Sequence, residues 1–105
     1  MPTLKEVMDG LQAKLDPAKT QGLSAVYQFD LSGAESGVYC LNFKDGQGSI
    51  SEGPSDAANI TVSMDSEDFK SLVAGQLNPT MAFMSGKLKV KGDMGLAMRL
   101  QSIIG

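Results

Sequence analysis

The 105-residue sequence predicts an α+β fold: a sheet of about five mostly antiparallel strands with one face covered by about four to five helices. Three observations lead there. Apolar residues recur at helical spacing near both ends of the chain, they alternate with polar residues at a period of two in between, and turn-forming residues separate these stretches. The length allows one domain, residues 1–105, with one hydrophobic core, and is too short for two.

Leu4, Val7, Met8, Leu11 and Leu15 follow Pro2-Thr3 at helical spacing and stop at Asp16-Pro17, which predicts an amphipathic first helix. From Ser24 the period is two: Ala25, Tyr27, Phe29 and Leu31 share one face of a strand, with Gln28 and Asp30 on the other. After a turn at Ser32 to Gly37, Tyr39, Leu41 and Phe43 continue the apolar face. Asp45-Gly46 is a hairpin signal leading to a short strand around Ile50, completing a three-stranded antiparallel meander. The stretch "EGPSDAA", Glu52 to Ala58, reads as a loop.

Ile60, Val62 and Met64 form a fourth strand. Asp65 is placed to cap the next helix, with Asp68 at the capping-box position and Met64 set to staple against Phe69. Phe69, Leu72 and Val73 make that helix's buried stripe, and Gly75 its left-handed stop. Asn78-Pro79, a cap followed by a first-turn proline, starts a short helix carrying Met81, Phe83 and Met84 up to Gly86. Lys87 to Lys91 is the fifth strand, with three lysines outward. Tyr27, Phe29, Tyr39, Leu41, Phe43, Ile60, Val62, Met64, Leu88 and Val90 are expected to face the helices.

The last helix departs from the usual pattern. From Asp93 onward, Gly95, Arg99 and Ser102 lie on one stripe, while Met94, Leu96, Ala97, Met98, Leu100, Ile103 and Ile104 occupy most of the remaining arc. A helix lying on a sheet needs an apolar stripe only a little over 100° wide. The surplus requires burial by more protein, by a second copy in a homodimer, or by an apolar ligand between helix and sheet. Met64, Met81, Met84, Met94 and Met98 fall within 35 residues. Flexible thioethers suit either an irregular core or a cavity that repacks around variable contents.

Composition excludes several classes. A net charge of −3 and the absence of a basic run give no footprint for nucleic acid. The single cysteine, Cys40, cannot form an internal disulfide, and the N-terminus lacks the order of a secretory signal, so a reducing intracellular compartment is expected. The apolar runs fall short of the roughly 20 residues that span a bilayer. The chain has no histidine, which removes His-based triads and most zinc sites. Cys40 alternates toward the polar face and has no histidine partner, the pattern of an inert thiol. Asp65, Glu67 and Asp68 crowd a helix start, where they oppose the dipole. Gly92-Asp93-Met94-Gly95 lacks the P-loop lysine and dinucleotide spacing, and a tight turn accounts for it. Lys87, Lys89 and Lys91 form either a solvated row or a contact for acyl-CoA phosphates or an anionic membrane. No enzyme activity, cofactor or metal is expected.

"NPTMAFMSGKLKVKGDMGLAMRLQSII", residues 78–104, closely resembles the C-terminal signature of the sterol carrier protein type-two family. "VYQF" at 26–29, "FKDGQGSI" at 43–50 and "ITVSMDSEDFKSLVAGQLNP" at 60–79 stand in that family's order and spacing. The resemblance implies a sheet and helices around a hydrophobic tunnel. It also implies binding and transfer of long-chain fatty acids, fatty acyl-CoA or sterols, with transient membrane contact, by a free carrier or a domain of a peroxisomal lipid enzyme. The lining positions it implies are Leu11, Leu15, Leu41, Phe43, Met64, Phe69, Leu72 and Leu77, to which the closing elements add Met84, Leu100 and Ile103.

Some relatives hold a lipid carboxylate in the segment after the first helix, which here reads "DPAKTQGL" and makes Lys19, Thr20 and Gln21 candidates for that role, with Leu23 beside them a further ligand-binding position. The arginine-glutamine pair of certain insect relatives is not present there, and a solvated loop is the other reading. The chain ends at Ile103-Ile104-Gly105 without the peroxisomal tripeptide, so the expected location is the cytoplasm, with the peroxisome as the alternative.

Overall fold

The computed structural model describes residues 3–18 and 20–104. Helix α1 (Leu4–Lys14) starts at a capping box, in which Thr3 and Glu6 satisfy each other's backbone N–H groups. Strands β1 (Ala25–Ser32), β2 (Gly37–Lys44) and β3 (Gln47–Glu52) follow as the expected meander. β4 (Ile60–Asp65) runs directly into α2 (Ser66–Val73), then come α3 (Pro79–Met84), β5 (Leu88–Gly92) and α4 (Met94–Ile104). The described residues thus form four helices, the lower end of the expected count.

The strand order is β3-β2-β1-β4-β5. Three pairings are antiparallel, whereas β1 and β4 run parallel, so the sheet is mixed. Register brings the apolar positions into rows across the inner face. One row reads Tyr39, Phe29, Val62, Val90, and the next reads Leu41, Tyr27, Ile60, Gly92. The core lies between these rows and the helices. Phe29 meets Phe69 of α2 with ring centroids 5.2 Å apart, and Tyr27 meets Phe43 edge-on at 6.0 Å. Each such buried side chain contributes ~1.5–3 kcal/mol relative to exposure.

Polar contacts fix the helices to the sheet and to one another. Gln12 of α1 donates to the Gly48 carbonyl and accepts from the Ile50 N–H, occupying the open edge of β3 with an amide. Glu35, in the β1–β2 turn, accepts from the Leu4 N–H at 3.0 Å and pairs with Lys70 of α2, tying both helices to one hairpin. Lys14 donates to the last-turn carbonyl of Val73 at 2.8 Å.

The caps fall where the sequence puts them. Asp65 accepts from the Glu67 N–H at 2.8 Å, and Asn78 from Thr80 and Met81. Gly75 and Gly86 close α2 and α3 with the same paired bonds, Gln76 to Ser71 and Gly75 to Leu72 in one, Lys87 to Ala82 and Gly86 to Phe83 in the other.

The outer face of the sheet differs from its polar reading at Cys40. The segment 53–59 folds across it, with Ser55 donating its N–H to the Gln28 side chain and Cys40 donating its thiol to the Gly53 carbonyl. Cys40 is therefore buried, and burial pushes the thiol pKa up. That keeps it protonated and unreactive.

Candidate functional site

At the β5 edge, α3, β5 and α4 do not close upon one another. They leave an apolar groove of about 250 Å³ lined by Pro79, Thr80 and Phe83 of α3, Leu88 and Val90 of β5, and Met94, Ala97, Met98 and Leu100 of α4. Its mouth is open to solvent, with Phe83 47%, Met94 51% and Met98 81% exposed. Its floor is closed by buried Leu88 and Leu100.

Local sequence sets each wall. The Asn78 cap and Pro79 start α3, and the Gly86 stop turns the chain into β5, which begins five residues after Phe83. On β5 the period of two turns Leu88 inward and leaves Val90 half-buried, while Lys89 and Lys91 are exposed. Asp93 then accepts from the Gly95 and Leu96 N–H groups and starts α4.

The start of α4 is fixed by a close approach. Gly92 sits at φ +123°, and a Cβ there would lie 2.6 Å from the Asn59 carbonyl oxygen. That carbonyl accepts from the Asp93 N–H, and the Asn59 side chain accepts from Val26, so β1, β4 and the root of α4 share one anchor. A second anchor comes from beneath. The Tyr27 hydroxyl donates to the Leu96 carbonyl at 2.7 Å. Burial pushes its pKa up to about 12, with Arg99 pulling it down and Asp93 pushing it up.

The wide apolar arc of α4 divides among three environments at its described side chains, with the Ile104 side chain outside them. Leu100 and Ile103 are buried against the sheet, Leu96 and Ala97 are half-buried, and Met94 and Met98 stand out over the groove.

Most sequence-nominated positions lie elsewhere. Leu11, Leu23, Leu41, Phe43, Met64, Phe69 and Leu72 are buried together in the main core, and Ile103 joins them. Leu15 and Leu77 pack half-buried against its margin. Met84 is 76% exposed on α3, and Leu100 lines the groove. Thr20 is buried at the far edge of the sheet, where its hydroxyl donates to the Gly46 carbonyl at 2.7 Å, and Gln21 beside it is exposed. Lys19 lies outside the described residues. The nomination did not include Pro79, Thr80, Phe83, Leu88, Val90, Met94, Ala97 or Met98, although the surplus arc and the methionine cluster point to that end of the chain.

Chemically the groove is a solvent for hydrocarbon. Among the described residues Thr80 is its one polar lining residue and no group of metal-ligating side chains exists, and the Cys40 thiol is on the opposite face of the sheet. No helix among the described residues is long and apolar enough to cross a membrane.

A sequence profile of the SCP-2 sterol transfer family matches residues 4–105. The chain belongs to this family. It is 46% identical over 103 residues to hydroxysteroid dehydrogenase-like protein 2 of Xenopus tropicalis, a match that covers 97% of this chain and 25% of that protein. The chain thus spans about a quarter of the length of that relative. Among solved structures, the apo form of sterol carrier protein 2 from Yarrowia lipolytica is similar with a TM-score of 0.69 and 29% identity, covering 93% of this chain and 83% of that one. Sterol carrier protein 2 like 2 from Aedes aegypti gives a TM-score of 0.79 at 21% identity, over 96% of this chain and 95% of that one, and shows the shared fold. SCP-2 membership carries lipid binding and transfer in the general sense.

Proposed function

We propose that this SCP-2 domain is a lipid carrier that shelters the apolar tail of a long-chain fatty acid, fatty acyl-CoA or sterol in the groove between α3, β5 and α4, and that it acts by binding and not by catalysis. The supporting observation is the groove itself, apolar over nearly all its lining and open at one side. A cavity of 150 Å³ holds benzene, so 250 Å³ holds roughly ten carbons. At ~0.8 kcal/mol per methylene, ten carbons give a gross gain of about 8 kcal/mol before ordering costs. A longer tail fills the groove and then requires α4 to move outward. Such a movement brings the tail toward the buried positions Met64, Phe69 and Leu72, and its reversal releases the lipid.

Reducing intracellular compartments, cytoplasmic or peroxisomal, agree with this reading. Where such a domain is part of a larger enzyme, it presents the lipid to the catalytic part. A second reading uses the same surface without lipid. Met81, Phe83 and Met84 of α3 and Met94 and Met98 of α4 are each exposed, and a ligand-free dimer would cover them.

Native mass spectrometry of freshly purified protein separates the two. The carrier reading expects a monomer with the added mass of a lipid, and a lipid-free dimer overturns it. Displacement of a fluorescent fatty acid then ranks ligands. Ala97→Trp, which fills the groove from a half-buried position, is expected to lower fatty-acid affinity at least tenfold while the fold survives.

A further inference from the structure

Among the described side chains, four of the five large apolar ones that are exposed are methionines, Met81, Met84, Met94 and Met98. The described leucine, isoleucine and valine side chains are all at least partly buried, so the exposed apolar surface is chiefly thioether. Thioether sulfur is a soft nucleophile that two-electron oxidants convert to sulfoxide, a change that reductases reverse. Met94 and Met98, one helical turn apart on α4, line the groove, whereas Met81 and Met84 of α3 do not. The other described sulfurs are placed differently. Met8 and Met64 are buried in the main core, and Cys40 is buried on the opposite face of the sheet with its thiol on the Gly53 carbonyl.

We propose that Met94 and Met98 reduce a fatty acyl hydroperoxide bound in the groove, each thioether taking one oxygen atom and leaving the hydroxy lipid. This chemistry deepens the carrier reading and rests on it, since the same groove must first bind the tail. The groove holds roughly ten carbons, about the length of tail that lies beyond a hydroperoxide near the middle of an acyl chain. The apolar floor of Leu88 and Leu100 offers a buried hydroperoxide no side-chain hydrogen-bond partner, so the group stops at the rim, where water solvates it. That rim is where the exposed Met94 and Met98 stand.

There a sulfur lone pair attacks the outer peroxide oxygen. The S–O bond forms as the O–O bond breaks, and sulfur gives up two electrons to the departing alkoxide. The alkoxide takes the proton that the hydroperoxide itself carried and leaves as the alcohol. Thioether plus hydroperoxide thus gives sulfoxide plus alcohol, and the balance closes without a further oxidant or reductant. A free thioether reacts slowly in water, and holding the two groups in contact raises the rate through effective concentration. Each methionine reacts once and then needs a sulfoxide reductase, so the reaction is stoichiometric.

Linoleic acid hydroperoxide, added to the protein with a metal chelator, tests this by peptide mass mapping and by the yield of hydroxy acid. Cleavage after Lys70, Lys87, Lys91 and Arg99 puts the α3 and α4 methionines on separate peptides. Met94 and Met98 are expected to gain oxygen at least about tenfold faster than Met81 and Met84, with one hydroxy acid formed per sulfoxide. Excess palmitic acid, which competes for the groove and cannot oxidise, is expected to remove that preference. tert-Butyl hydroperoxide, too short to fill the groove, is expected to oxidise the exposed methionines of both helices at comparable rates and to spare Met8 and Met64. Met94→Leu/Met98→Leu, compared at saturating hydroperoxide, is expected to lose the fast formation of hydroxy acid, and Met81→Leu to keep it.

Equal oxidation of the two helices by the lipid hydroperoxide, sulfoxide without hydroxy acid, or a preference that survives palmitic acid overturns the proposal. So does the same preference with tert-butyl hydroperoxide, which would belong to the methionines and not to the bound lipid. These readings come from the parent protein and stand whether or not the double variant folds. A parent that binds a fluorescent fatty acid yet lacks the preference overturns the proposal alone, whereas one that binds no fatty acid overturns the carrier reading and this chemistry with it.

Discussion

Tyr27 shows how much one side chain does here. Its ring is in the core, edge-on to Phe43, and its hydroxyl reaches through to the Leu96 carbonyl of α4, 69 residues away. Tyr27→Phe keeps the ring and removes the bond, with an expected cost of about 1 kcal/mol in urea unfolding. The phenol also gives a pH dependence of known sign. Unfolded, it loses its proton near 10.0, and folded near 12, so the stability present below pH 10 falls as the pH rises from 10 to 12. Unfolding midpoints measured across that range are expected to fall less steeply in Tyr27→Phe than in the parent. Glu35 acts at the other end of the scale. The Leu4 N–H first, then Lys70, holds its carboxyl below the ordinary 4.5, so its stabilisation is present above that value and is lost as the pH falls through the lowered one. Glu35→Gln is expected to flatten the acid limb of the stability curve in the same measurement. Neither contact was legible in the sequence. Periodicity assigned Tyr27 to the inner face, but no local pattern says which carbonyl its hydroxyl meets, and Thr20 bonding to Gly46 is the same case at the opposite edge.

At the scale of elements, local signals were read well where the physics is local. The Asp65 and Asn78 caps, the Gly75 and Gly86 stops and the alternation in β1 depend on residues within a turn or two of one another. The parallel pairing of β1 with β4 depends on how a 27-residue excursion between them packs, and nothing within either strand encodes it. Cys40 follows the same logic, since alternation gave its face while the cover over that face comes from segment 53–59. Of all the elements, α4 depends most on a single residue. Gly92 combines a φ of +123° with a 2.6 Å approach to the Asn59 carbonyl, which cannot retreat while it accepts from Asp93. Gly92→Ala is expected to cost about 1–3 kcal/mol of stability by urea unfolding. It is also expected to speed amide hydrogen exchange in α4 more than in α1 or α2, because the strain falls at the root of that helix.

For the molecule as a whole, the two halves of the helical layer differ in how they are held. α1 and α2 are tied to each other and to the sheet by Gln12, Lys14, Glu35 and Lys70 over a filled core, whereas α3 and α4 flank an open groove. A tail that binds in the groove replaces missing contacts on one side only, so its stabilisation should be both sizeable and local. At a ligand concentration 100 times the Kd, binding adds ~2.7 kcal/mol. For a chain of 105 residues that corresponds to a rise in melting temperature on the order of 10 °C, growing with ligand concentration. Hydrogen exchange with and without a saturating fatty acid locates the effect. The added protection is expected in α3, β5 and α4, with α1 and β3 exchanging as before. Protection centred instead on α1, β2 and the segment around Thr20 would place the tail among Leu11, Leu15, Leu41 and Phe43. The groove at the β5 edge would then be only the gap through which it enters.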